Sequence, residues 1–119
     1  NYRTIEKGYL GQLIVEKSFL QQGEIYLNLL ENGKVDLIVE KDNKYLRLQI
    51  KTVTKSGTQR VIPVRKFSHN MGEYKVTRYT ANDIDYFIGC DLETEDLYIV
   101  PISTIENVKS SISINQCSE

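Results

Sequence analysis

The fold depends on two strand-like runs, GKVDLIV at residues 33–39 and YLRLQIK at residues 45–51, which flank a KDNK turn. Side chains alternate between the two faces of a β-strand, so Gln49 and Lys51 share one face of the second run. Antiparallel pairing of the two runs brings Asp36 to the same end of the hairpin. A carboxylate, an amide oxygen and an ammonium that converge in this way indicate a metal site with a cation beside it. An ordinary amphipathic hairpin with a solvated polar face is the alternative.

The composition predicts one soluble domain. A chain of 119 residues has the usual size of a single domain, and its 40% apolar residues suffice for a modest core. No apolar run reaches membrane-spanning length, and no signal peptide opens the chain. The two cysteines, Cys90 in an apolar run and Cys117 in a polar tail, lack metal-ligand spacing. They favour a reducing, cytoplasmic setting, with Cys90 as a buried thiol.

The charges are segregated along the chain. The formal net charge is -1, but residues 51–80 hold seven basic residues and one acid. The remaining residues hold eight basic and fifteen acidic ones. This division predicts a basic arm on an acidic body, so the near-neutral total does not exclude a polyanionic partner.

The N-terminal segment predicts a helix over residues 4–22 that ends at Gly23. Gly8 and Gly11 are costly inside a helix, which indicates close packing or the approach of a ligand there, unless the helix starts near Tyr9. Apolar residues recur at helical spacing and predict one buried stripe. The stripe consists of Leu10, Leu13, Ile14 and Leu20, widened by Val15 and Phe19.

The rest of the chain predicts mostly strands. Pro63 places the strand-like run 60–64 at a sheet edge, because proline cannot donate to a ladder. The order of elements predicts an α/β or α+β domain around a small mixed sheet. A strand over 24–30 precedes the central hairpin. The hairpin is followed by a polar β-ribbon with little core of its own over 52–80 and by a second hairpin of 82–90 with 97–100. A short helix over about 104–110 and a tail over 111–119 complete the order.

These motifs together resemble the PD-(D/E)XK nuclease superfamily. Asp36 is followed thirteen residues later by Gln49-Ile50-Lys51, and a helix with Gly8-x-x-Gly11-Gln12 precedes them. The runs DIDYF at 83–87 and LYIVPIS at 97–103 are similar to those of homing endonucleases encoded within group I introns of bacteria, including cyanobacteria. The likeness extends from Gly8 to about Ile105. It implies a restriction-endonuclease-like core, a single domain over 1–119, with residues 52–80 as a DNA-binding β-ribbon insertion.

The resemblance implies a role for each residue of the central hairpin. Asp36 would be the central metal ligand, joined by the Gln49 side chain and the Ile50 carbonyl, and Lys51 would orient or deprotonate the attacking water. The expected cofactor is Mg²⁺ or another divalent ion such as Mn²⁺. Hydrolysis of a phosphodiester needs such an ion, which prefers oxygen ligands. Lysine suits its role as a mobile point charge with a shiftable pKa.

Gln12 departs from the family pattern, which usually has a glutamate there that reaches the metal. With Gln49 also in place of an acid, Asp36 is the one carboxylate at a matched position. Three readings stay open. Gln12 is a deliberate inactivating substitution that keeps DNA uncleaved, which is the favoured reading; Glu16, one turn away, substitutes for the acid; or the natural protein binds without cutting.

The basic ribbon predicts contacts to duplex DNA, since a two-stranded ribbon fits the major groove. A solvated β-arm is the alternative. Because one chain carries one active site, two strands require a homodimer or a dimer of dimers. The candidate DNA-binding residues are Lys55, Thr58, Gln59, Arg60, Arg65, Lys66, Lys75, Arg78 and Tyr79, with His69 a loop residue rather than a general base.

The expected function is therefore a Mg²⁺-dependent, site-specific homing endonuclease that acts on double-stranded DNA in the bacterial cytosol, associated with the nucleoid when bound, with no membrane partner. A Holliday-junction resolvase-like or restriction enzyme is the alternative within the fold. The alternatives from other classes are a non-catalytic sequence-specific DNA-binding protein and a basic-armed module for RNA or an acidic protein.

Overall fold

A computed structural model describes residues 4–23, 25–28, 35–70, 73–105 and 111–114; at Thr4, Ser56 and residues 25–28, 65–70 and 73–78 it describes the backbone alone. The described elements are α1 (Thr4–Gln21), β1 (Ile25–Asn28), β2 (Leu37–Lys41), β3 (Lys44–Thr52), β4 (Thr54–Ser56), β5 (Gln59–Pro63), β6 (Arg65–Asn70), β7 (Glu73–Arg78), β8 (Tyr86–Cys90), β9 (Leu97–Pro101), a 3-10 turn (Ile102–Thr104) and β10 (Ser111–Ser113).

The main sheet has five strands in the order β1-β2-β3-β8-β9. The pair β3–β8 is parallel, and the other three pairs are antiparallel. Two parallel strands need a long crossover connection. Between β3 and β8 this connection consists of β-strands instead of the usual helix. The predicted α/β or α+β domain around a small mixed sheet is confirmed, as are the central hairpin and the β8–β9 hairpin.

Helix α1 packs on one face of this sheet close to the predicted bounds. Val15 is fully buried, and a Cβ at Gly11 would lie 3.2 Å from Thr52 Cγ2, so Gly11 lets the helix approach β3. The predicted single stripe is wrong for Leu13 and Leu20, which are 49% and 57% exposed. The helix has a second apolar side that the sheet does not cover. Gly23, with φ of 78°, ends it.

A second, three-stranded sheet with the order β10-β5-β4 covers the other face. Three predictions are corrected here. First, β5 is the central strand of this sheet and not an edge; Pro63 is its last residue and faces Ser111. Second, the segment 52–80 is not uniformly a ribbon without a core, because Val61, Ile62 and Val64 are buried. Third, the predicted tail begins with β10.

The remaining pair, β6–β7, forms a separate two-stranded sheet, which is the ribbon proper. The predicted helix over 104–110 meets a 3-10 turn that ends at Thr104, and residues 106–110 lie outside the described part. Within the described residues no helix is both long and apolar enough to cross a membrane.

The main sheet separates two apolar cores. The first lies under α1 and includes Val15, Leu48 and Ile88; the second lies under the three-stranded sheet and includes Ile62 and Phe87. Adjacent residues of β8 therefore face opposite cores, as strand alternation requires. Cys90 is fully buried in the first core, as predicted.

Candidate functional site

The β2–β3 hairpin sets the register of the predicted site. Asp42 and Asn43 form a two-residue turn with φ of 52° and 64°, a conformation that aspartate and asparagine tolerate. The pairing that follows matches Leu37 with Leu48. Strand β2 begins at Leu37, so Asp36 directly precedes the paired residues and lies beside the Leu48–Ile50 segment of β3. The local turn chemistry thus brings Asp36 next to Ile50, which follows Gln49 in the chain.

Hydrogen bonds to β3 hold Asp36 directly before the first residue of β2. Its backbone N–H donates to the Leu48 carbonyl at 2.8 Å, and the Ile50 N–H donates to its Oδ2 at 2.8 Å. Within a strand that pairs in an antiparallel ladder, the N–H and C=O of one residue leave by the same edge. The Ile50 carbonyl therefore faces the edge that the Asp36 carboxylate occupies, where β2 no longer covers it.

Gln49 carries a buried oxygen that needs a partner. The residue is 8% exposed, and its Oε1 has no hydrogen-bond partner among the described residues. Buried polar atoms are nearly always satisfied, and a bound ion or a water molecule at this oxygen would satisfy it. A carboxylate, an amide oxygen and a carbonyl suit a hard divalent cation that keeps several waters. The residues present fit Mg²⁺ or Mn²⁺ by their donor type.

The acid content of this donor set is low. No group of three or more His, Cys, Asp or Glu side chains that could hold a metal ion occurs in the described part of the chain. Gln12 is half-buried on α1, and its Nε2 donates to Glu16 Oε2 at 3.2 Å. The structure thus joins Gln12, which stands where the family has an acid, to Glu16, which sequence reasoning offered as its substitute.

Lys51 lies against an aromatic ring. Its Nζ is 5.6 Å from the centroid of the Tyr79 ring, and Tyr79 in turn meets Phe87 edge-to-face, with centroids 5.0 Å apart and ring planes at 87°. Burial raises the pKa of Tyr79 to about 12, and the carboxylates of Asp36 and Asp83 add to the effect. The phenol is therefore neutral at physiological pH, and the ring links Lys51 to the second core.

The placement of Tyr79 corrects one prediction. Sequence reasoning grouped this residue with the DNA contacts, but it is only 6% exposed and belongs to the second core. A buried ring cannot offer its face to a duplex. No sequence signal links Tyr79 to Lys51, since the two are 28 positions apart and meet only in the folded chain.

An ion pair missed by sequence reasoning holds the segment after Tyr79. Arg47 contacts Asp85 through Nε and Nη2, both at 3.2 Å, and the Arg47 backbone N–H donates to Asp85 Oδ2 at 2.8 Å. Arg47 also donates to the carbonyls of Asn82 and Ala81. The hydrogen bonds from Arg47 hold the pKa of Asp85 below its ordinary value. This clamp ties the loop between Tyr79 and β8 to strand β3.

The predicted DNA contacts fall into two groups. Lys55, Thr58 and Gln59 are exposed on the β4–β5 hairpin, whereas Arg60 forms an ion pair with the buried carboxylate of Asp91. The others lie on the β6–β7 ribbon, whose register sets Arg65 opposite Arg78, Lys66 opposite Thr77 and Ser68 opposite Lys75. Their role in DNA binding stays a prediction, as do the roles of the hairpin residues.

Comparisons with known proteins agree with this architecture. The sequence profile of the PD-(D/E)XK endonuclease family matches residues 4–118. The solved structure of a bacterial homing endonuclease, I-Ssp6803I, is similar with a TM-score of 0.85 and 24% identity; the match covers 95% of this chain and 78% of that one. No curated protein sequence matches the chain.

Proposed function

The chain belongs to the PD-(D/E)XK endonuclease family, and from this premise we propose that it is a metal-dependent, site-specific homing endonuclease that hydrolyses phosphodiester bonds of double-stranded DNA. The observation that carries the proposal is the corner at the end of β2 and β3. There the Ile50 N–H donates to the Asp36 carboxylate, the neighbouring Gln49 has a buried oxygen without a hydrogen-bond partner among the described residues, and the Lys51 ammonium lies beside Tyr79.

The chemistry follows from these groups. Asp36, Gln49 Oε1 and the Ile50 carbonyl would hold a divalent ion, and such an ion would supply activation of the water and compensation of charge on the phosphate. Lys51 orients the attacking water and the scissile phosphate by its positive charge, or takes the proton of the water. The hydrogen bond from Ile50 N–H holds the Asp36 carboxylate beside β3.

The residue at position 12 distinguishes an active endonuclease from a protein that binds DNA without cutting it. One carboxylate in the donor set supports the second candidate function, a DNA-binding protein that does not cut. We favour an inactivated endonuclease, and we expect Gln12→Glu to add the missing charge. In Mg²⁺ or Mn²⁺, supercoiled plasmid carrying the target should then be nicked or linearised much faster than by the parent protein.

The experiment needs two controls. Gln12→Glu with Lys51→Ala should bind the plasmid and leave it intact, which excludes a contaminating nuclease. Glu16→Gln in the parent tests whether Glu16 supplies the acid, since any residual cleavage would then vanish. If Gln12→Glu binds target DNA and never cuts it with either ion, the endonuclease proposal is wrong. A preference for branched over linear duplex would favour a resolvase.

The basic positions of β6–β7 and Lys55 support DNA binding through phosphates and the major groove, in the bacterial cytosol. Each phosphate neutralised should add about -0.9 to the slope of log affinity against log salt. Lys75→Ala should therefore make this slope about one unit shallower, and Lys44→Ala, at the first residue of β3 beside the β2–β3 turn, should not change it. An affinity that does not vary with salt would contradict the proposal.

We also propose that two copies assemble, because one chain offers one site for two strands. An apolar surface on the uncovered side of α1 supports this. Ile5, Tyr9 and Leu13 recur every four residues there and are 85%, 68% and 49% exposed. Leu13→Lys should yield a monomer in sedimentation equilibrium, while Tyr45→Lys, at an exposed residue of β3, should leave the dimer intact. A parent protein that is monomeric at micromolar concentration refutes the assembly.

A further inference from the structure

Tyr79 occupies the junction between the ribbon and the main sheet. It directly follows Arg78, the last residue of β7, and the loop after it is clamped to β3 by Arg47 and Asp85. Its ring is buried and is fixed from the side by Phe87. The backbone is therefore held on both sides of a ring that has little freedom to move.

We propose that Tyr79 is a positioning residue whose ring face holds the Lys51 ammonium in place for phosphodiester hydrolysis. This inference rests on the proposed nuclease function. The Nζ-to-centroid distance of 5.6 Å falls within the range of about 6 Å for a cation–π contact. Lys51 Nζ lies over the Tyr79 ring, and Phe87 packs against the same ring with its plane at 87°.

A lysine that orients water needs such support. Its side chain has four rotatable bonds, and an ordered position costs it considerable rotamer freedom. Lys51 enters the site from β3, where its register partner in β8 is Gly89. A glycine offers no side chain against which the lysine stem could pack, whereas the ring of Tyr79 gives Lys51 an aromatic contact.

The ring, and not the hydroxyl, carries this role. Tyr79→Phe keeps the π face and should preserve positioning, whereas Tyr79→Leu keeps an apolar core and removes the π face. Tyr98→Leu is the matched packing control, because Tyr98 is also 6% exposed and belongs to the same core.

The first test needs neither metal nor DNA. In protein labelled with ¹³C-lysine, the side-chain methylene protons of Lys51 should be shifted upfield by the ring current of Tyr79, with the resonance assigned by its loss in Lys51→Arg. The shift should persist in Tyr79→Phe and vanish in Tyr79→Leu. Lys51 resonances at random-coil positions in the parent protein would overturn the inference, even if Tyr79→Leu did not fold.

The second test separates rate from affinity in whichever form cleaves, the parent or Gln12→Glu. Tyr79→Leu should lower the single-turnover cleavage rate by about 2- to 30-fold, the equivalent of one cation–π contact, with DNA affinity unchanged. Tyr79→Phe should restore the rate. Equal losses in Tyr79→Leu and Tyr98→Leu, or a normal rate in Tyr79→Leu, would refute a positioning role. If neither form cleaves, the proposed function fails, while the NMR shift still reports whether the ring holds the lysine.

Discussion

Gly89 offers the sharpest test of the packing that supports the site. A Cβ at this position would lie 2.4 Å from Ile62 Cδ1 and 2.8 Å from Ile62 Cγ1, whereas carbons normally pack about 3.5–4.0 Å apart. Ile62 is fully buried on β5, which pairs on both sides with β4 and β10, so its side chain has little room to rotate away from an added methyl group. We expect Gly89→Ala to cost about 1–3 kcal/mol of unfolding free energy.

Thermal unfolding followed by circular dichroism measures this loss. For a chain of 119 residues the expected fall in Tm is about 4–12 °C. Gly8→Ala is the matched control, since no described atom lies within 4 Å of its added methyl group. Alanine is a better helix former than glycine by about 1 kcal/mol, so this control should raise Tm. Gly11→Ala, at 3.2 Å from Thr52 Cγ2, should fall between the two.

A double-mutant cycle assigns the cost to the named contact. Ile62→Ala removes both crowded atoms and should cost about 2–5 kcal/mol alone, because it leaves a cavity in the core. Combined with Gly89→Ala, the total should be less than the sum by about 0.5–3 kcal/mol, since the added methyl no longer clashes and fills part of the cavity. A Gly89→Ala protein with unchanged or higher Tm would refute the close packing of β5 on β8.

Asp85→Asn should lower the unfolding free energy at pH 7 by about 1–2 kcal/mol, discounted for partial exposure of the pair with Arg47. Because the folded pKa of Asp85 is depressed, its contribution is present above the unfolded pKa and is lost as the pH falls below about 4. In urea titrations, the difference in unfolding free energy between the parent protein and Asp85→Asn should therefore be smaller at pH 3 than at pH 7. An equal difference at the two pH values would contradict the clamp. Burial raises the pKa of the Cys90 thiol to about 11, so in a Cys117→Ser background a thiol reagent at pH 8 should react only as the protein unfolds. Rapid labelling of the native protein would show that Cys90 is accessible.

Local sequence determined the parts of the site that lie on one hairpin. The two-residue turn, the alternation of β2 and β3 and the spacing of Gln49, Ile50 and Lys51 are all consequences of neighbouring residues. Backbone hydrogen bonding and φ preferences act over a few positions, so a pattern of residues predicts them. The helix, its end at Gly23 and the β8–β9 hairpin were predictable for the same reason.

Only the tertiary structure decided which distant groups meet. Three contacts join residues that are 27 to 38 positions apart in the chain. They are the Tyr79 ring against Lys51, the Arg47–Asp85 clamp and the packing of Ile62 on Gly89. The position of β5 at the centre of a sheet depends on β10, some 50 positions farther along the chain. Such contacts depend on how all the apolar faces of the chain are buried together. The local pattern of residues does not specify that tertiary arrangement.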